Sequence, residues 1–92
     1  MTVATHPGEI LKDELEARGM SAHRLALELG VPPTRIADIV HCRRAVTPET
    51  ALRLARYLGG SAKLWLRLQA DHDLAVAERQ HGAEIKRTVR AA

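Results

Sequence analysis

Ninety-two residues with a net charge of +3 suffice for one small domain, too short for two, in which the helices must share in building a modest core. Hydrophobic residues at 46% and charged residues at 27% exclude a disordered chain, and abundant Ala and Leu beside few aromatic or β-branched side chains favour an all-α fold over sheets. One cysteine, Cys42, excludes an intrachain disulfide and a multi-cysteine zinc site, and it suits a reducing cytoplasm, the expected location.

The start MTVATHPGE has neither the basic stretch nor the apolar run of a secretion signal, and no later run approaches the roughly 20 apolar residues of a membrane span. No membrane partner is expected. Caps, prolines and glycines then punctuate five helices. The first opens at His6-Pro7, with proline at the first helical position and Glu9 near the positive end of the dipole, and it stops at Gly19. Ile10, Leu11 and Leu15 are its inward stripe. Ser21 caps a short second helix with Leu25, Ala26 and Leu29 inward, and Gly30 supplies a left-handed end. Pro32-Pro33 cannot continue that helix but can begin a third, carrying Ile36, Ile39 and Val40 as core positions. After the basic link Cys42-Arg43-Arg44-Ala45-Val46, Thr47-Pro48-Glu49 launches a fourth helix, with Ala51, Leu52, Ala55 and Leu58 inward and Gly59-Gly60 as its end. Ser61 caps the fifth. It is expected to run from Ala62 to between His72 and Gln80, with Leu64, Trp65, Leu68 and Ala75 closing the core, Gly82 breaking the pattern and the final residues fraying. Residues 1–74 thus read as the domain and 75–92 as a helical extension or tail.

The second and third helices have helix-turn-helix spacing over residues 22–41. Counting from Ala22, the small Ala26 falls where the helices touch, Gly30 where the turn needs positive φ, and Ile36 and Ile39 where the second helix packs back. The plain alternative is a helical hairpin in an unrelated bundle. Charge supports a nucleic-acid reading, because residues 1–18 sum to −2 while residues 35–67 sum to +5.

The stretches HPGEILKDELEARGMS, LALELGVPPTRIADIV, RRAVTPETALRLARYLG and SAKLWLRLQADHDL resemble the HigA-type antitoxins of bacterial toxin-antitoxin modules, within the Cro/cI-like (XRE) helix-turn-helix class. The resemblance runs from about His6 to Leu74, and HPGE and the WLxLQxxxDL segment are its discriminating features. It implies a five-helix Cro/cI-like domain in a cytoplasmic repressor that dimerises, binds its own palindromic operator and neutralises a RelE-like ribonuclease toxin of HigB type. A free-standing XRE-type repressor without a toxin is the alternative. The family often has a glycine in the link after the third helix, where this chain has His41-Cys42.

On the third helix the core set leaves Thr34, Arg35, Ala37, Asp38 and His41 outward as expected base readers. Arg35 has the fork for guanine O6/N7, Ala37 can touch a thymine methyl, and Asp38 can accept from cytosine N4 or orient Arg35. The plain alternative for Arg35 and Asp38 is a solvated charge pair. Arg24, Arg43 and Arg44 are expected on phosphates, and Arg53 and Arg56 read as ordinary surface charge. A second apolar stripe on the fifth helix, Leu66, Ala70, Leu74 and Ala77, is the expected dimer surface, unless it packs on the chain's own tail. Glu9, Asp13 and Glu16 share one face of the first helix and are the expected toxin contact, or simply a solubilising surface. Histidine spacing offers no metal motif, no cofactor is implied, and no catalytic constellation assembles, so the chain reads as a non-enzyme.

Overall fold

Local chemistry starts each helix. Ser21, Thr47 and Ser61 accept backbone N–H bonds from Arg24, Thr50 and Lys63 at 3.0, 3.3 and 3.1 Å, which satisfies donors the first helical turn would otherwise leave unpaired. In the computed structural model, which describes residues 4–92, these and two proline starts set five helices. They are α1 (Pro7–Arg18), α2 (Ala22–Leu29), α3 (Pro33–Val40), α4 (Pro48–Leu58) and α5 (Ala62–Thr88). No strand occurs among the described residues.

The helix-turn-helix forms as its spacing predicts. Ala26, Ile36 and Ile39 are fully buried, and Gly30 at φ 71° turns the chain out of α2. Leu11 and Leu15 of α1, Leu25 of α2, Leu54 of α4 and Trp65 of α5 complete one shared core with them.

His6 caps α1 in an unusual way. Its ring Nδ1 accepts the Gly8 N–H at 2.8 Å, and the ring is buried edge-on against His72 of α5, with centroids 4.8 Å apart. Burial, and then the neighbouring His72, push the imidazole below its ordinary range, against the opposing pull of Asp73 and Glu9, and this keeps Nδ1 an unprotonated acceptor. Gly8 lies against the Ile39 carbonyl, so α1 rests directly on the end of α3. HPGE is therefore a structural joint.

Three expectations about core faces need correction. Leu52 is 64% exposed and Leu54 fully buried, because α4 turns Thr50, Ala51 and Leu54 inward, with Leu58 half-buried behind them. Ile10 and Leu64 are 40% and 56% exposed. On α5 the inward line is Trp65, Gln69, His72 and Val76, successive positions on one helical face. Two of these are polar, so hydropathy alone shifts the phase. Gln69 is buried because its Oε1 accepts the Val46 N–H at 2.8 Å, which pins the link before α4 to α5.

Helix α5 also outruns expectation. Gly82 costs about 1 kcal/mol against alanine in a helix, yet the Ala, Glu, Lys and Arg around it favour continuation and the helix reaches Thr88. At 27 residues it spans about 40 Å, which accounts for the 48 × 22 × 21 Å shape of the chain. The expected boundary at 74/75 falls inside this continuous helix.

Candidate nucleic-acid interface

Because α3 buries Ile36 and Ile39, its other face must look outward, and the five expected readers lie there. Thr34 and His41 are exposed, while Arg35, Ala37 and Asp38 are half-buried. The His41 ring Nδ1 sits 2.7 Å from the Ala37 carbonyl oxygen. A carbonyl only accepts, so Nδ1 carries a proton.

Asp38 does not orient Arg35. The chain folds back after α3 with the Arg43 N–H donating to the Asp38 carbonyl at 2.8 Å. This brings both link arginines over the Asp38 carboxylate, Arg43 at 3.2 Å and Arg44 at 3.8 Å. Cys42 reaches this bend at φ 61°, a left-handed conformation that glycine enters without cost. Arg35 instead meets Glu49 in the first turn of α4, at 3.4 Å.

Arg24 pairs with Glu28 at 2.8 Å along α2. All four expected DNA-facing arginines therefore rest on carboxylates. Exposed pairs of this kind contribute about 0–1 kcal/mol each, little enough to be exchanged for phosphate.

Arg53 is more than surface charge. Its guanidinium donates to the Leu29 carbonyl at 2.7 Å, satisfying the end of α2, and approaches Glu49 at 3.7 Å. Nothing local announces that role, since Leu29 and Arg53 are far apart in sequence. Arg18 makes the matching tie between α1 and α4, donating to the Leu58 carbonyl at 3.0 Å.

Away from α3, the expected dimer stripe divides. Leu66 is half-buried against the chain's own core, whereas Ala70 and Ala77 are exposed and Leu74 is 67% exposed. The exposed Ile85 continues that line. Glu9, Asp13 and Glu16 are exposed, and none forms an ion pair among the described residues. No group of three or more His, Cys, Asp or Glu side chains among the described residues is placed to hold a metal. No described helix is long and apolar enough to cross a membrane.

Comparison with known proteins agrees with this geometry. A helix-turn-helix family model matches residues 11–65. The chain is 54% identical over 76 residues to virulence-associated protein I of Dichelobacter nodosus, covering 82% of this chain and 70% of that protein. An addiction module antidote protein of a HigA family from Coxiella burnetii superposes with a TM-score of 0.94 at 38% identity, over 99% of this chain and 100% of that one. The Pseudomonas aeruginosa antitoxin HigA, solved with the higBA promoter, superposes with a TM-score of 0.92 at 38% identity, over 95% and 96% of the two chains.

Proposed function

The chain belongs to the helix-turn-helix family, in its HigA-like antitoxin group, and from that premise we propose that it represses its own operon and neutralises a RelE-like ribonuclease toxin. The family is one of DNA-binding regulators, not enzymes. One observation carries the DNA half: the outward face of α3, flanked by Arg43 and Arg44, lies on a fold that superposes nearly end to end with an antitoxin solved with promoter DNA. In this reading Thr34, Arg35, Ala37, Asp38 and His41 meet base edges, and Arg24, Arg43 and Arg44 meet phosphates. Footprinting on the DNA upstream of the chain's own reading frame tests this. Protection of a palindrome is the expected result, and no protection refutes autorepression.

A palindrome calls for two copies related by a two-fold axis, with recognition helices about 34–36 Å apart. Ala70, Leu74 and Ala77 form the proposed contact, supported by the exposed apolar Leu74 on a helix that projects beyond the domain. Leu74→Glu should give a folded monomer, read by sedimentation beside circular dichroism. An unchanged dimer mass moves the contact elsewhere. Leu66 is no substitute target, since its replacement would also disturb the core.

The toxin half rests on α1. A ribonuclease must attract polyanionic RNA, so a basic surface on it would meet the carboxylates of Glu9, Asp13 and Glu16, all exposed and free of ion pairs among the described residues. Neutralising the three to Gln, Asn and Gln should leave operator binding intact and slow association with the ribonuclease encoded beside this chain, most at low salt. An unaltered association rate reassigns that face to scaffold. Absence of any such neighbouring frame leaves the free-standing repressor.

A further inference from the structure

Arg35, the one recognition-helix arginine, is not loose in the free chain. Its guanidinium meets Glu49 across the gap between α3 and α4, and Glu49 is itself held by Arg53, which is fastened to the Leu29 carbonyl at the end of α2. The three side chains form a continuous brace from the first helix of the helix-turn-helix, over α4, to the reading residue of the second. Along it the distances run from 2.7 Å at Leu29 through 3.7 Å at Arg53–Glu49 to 3.4 Å at Glu49–Arg35. The tight end is the anchored one, and the looser end is the one that would read DNA. The Arg35 side chain is 32% exposed, half the 65% of Glu49.

We propose that Glu49 is a specificity-determining positioning residue that acts through Arg35, an assignment that rests on the DNA-reading role above. Held by Glu49, the guanidinium is already ordered when a duplex arrives, which reduces the rotamer freedom lost on binding a base. Glu49 meets the guanidinium through one nitrogen, so a guanine edge, which offers O6 and N7 together, can take its contact with Arg35 while that pair holds. A duplex of the wrong sequence offers Arg35 only a phosphate, which must compete with the carboxylate already in place. Glu49 thus opposes phosphate-only binding more than base-specific binding. Its helical position alone does not explain this arrangement: a carboxylate in the first turn of α4 would favour the dipole equally without facing α3.

The test uses the full chain and Glu49→Gln, which removes the charge and keeps the shape. The probes are a duplex selected by the wild-type protein from a random pool and a scrambled duplex of equal composition, each titrated over a series of salt concentrations. Glu49→Gln should raise affinity for the scrambled duplex about threefold, the scale of one exposed ion pair, change affinity for the selected duplex less, and so lower the discrimination ratio. For the scrambled duplex the slope of log affinity against log salt should steepen by about 0.9, one additional phosphate contact. In an Arg35→Ala background Glu49→Gln should leave the discrimination ratio unchanged, and Glu49→Ala should repeat the pattern if the Gln variant folds poorly. A helix-stability role for Glu49 moves the melting temperature but neither the salt slope nor the cycle with Arg35. A wild-type chain that discriminates, with Glu49 variants of unchanged ratio and slope, overturns the assignment. A wild-type chain that enriches no sequence removes the DNA-reading role as well.

Discussion

Arg35→Ala is expected to lower affinity for the operator by about 1–3 kcal/mol and to relax discrimination, whereas Arg44→Ala weakens binding to all duplexes alike and lowers the salt slope by about 1. The difference follows from where the two side chains stand. Arg35 projects from the first half of α3, the part of a recognition helix that reaches base edges, and its only resting partner among the described residues is the Glu49 carboxylate. Arg44 stands on the link beyond the helix, half-exposed over Asp38, where a cation follows the backbone and carries no sequence information. Truncating Arg35 leaves a guanine O6/N7 pair without donors, a loss confined to the correct site. Truncating Arg44 loses one released counterion at any site. Titration of the selected and scrambled duplexes at several salt concentrations separates the two outcomes, and an unchanged discrimination ratio for Arg35→Ala would return that residue to the solvated surface.

The elements that sequence alone placed correctly are those with local causes. Ser21, Thr47 and Ser61 cap their own helices, Pro33 and Pro48 start theirs, and Gly30 ends α2, so five helices and their order follow from neighbouring residues. The helix-turn-helix is legible for the same reason, since Ala26, Gly30, Ile36 and Ile39 lie within one short stretch. What escaped depends on partners distant in sequence. Gln69 enters the core only because the Val46 N–H needs an acceptor, and His72 only because His6 lies against it, so the buried face of α5 contains two residues that hydropathy sends to solvent. Leu54 was obscured in the same way by the buried Thr50, which shifts the apparent apolar phase of α4. The resting state of the site escaped as well. Charge summed by segment locates a basic middle but does not show that Asp38 holds two of its arginines and Glu49 two more. Those pairs appear only once α3, α4 and the link are folded together.

Gly8→Ala sets two effects of opposite sign against each other. Alanine exceeds glycine in helix propensity by up to about 1 kcal/mol, so on propensity alone the substitution stabilises α1. The added Cβ, however, would land on the Ile39 carbonyl oxygen, with the Ile39 carbonyl carbon at 2.9 Å and the His6 Nδ1 at 3.0 Å. These neighbours are fixed. The Ile39 carbonyl accepts the Cys42 N–H at 2.9 Å at the end of α3, and His6 Nδ1 is the cap of α1. No rotamer change relieves a clash with backbone, so α1 must lift away from α3, loosening the contacts of Leu11 and Ile39 and breaking the cap. Overpacking of this kind typically costs about 1–3 kcal/mol and sometimes more, which exceeds the propensity gain. A net fall in melting temperature of roughly 10 °C is expected for a domain of this size. Gly82→Ala is the control, because its Cβ would meet only the Glu78 Cγ at 3.3 Å, the movable part of a flexible side chain on exposed helix. There propensity should win, and the same substitution should stabilise by up to about 1 kcal/mol. Thermal unfolding of both variants followed by circular dichroism decides the matter: Gly8→Ala at or above the wild-type midpoint would mean that α1 does not rest on the Ile39 carbonyl, and that the glycine of HPGE serves something other than this joint.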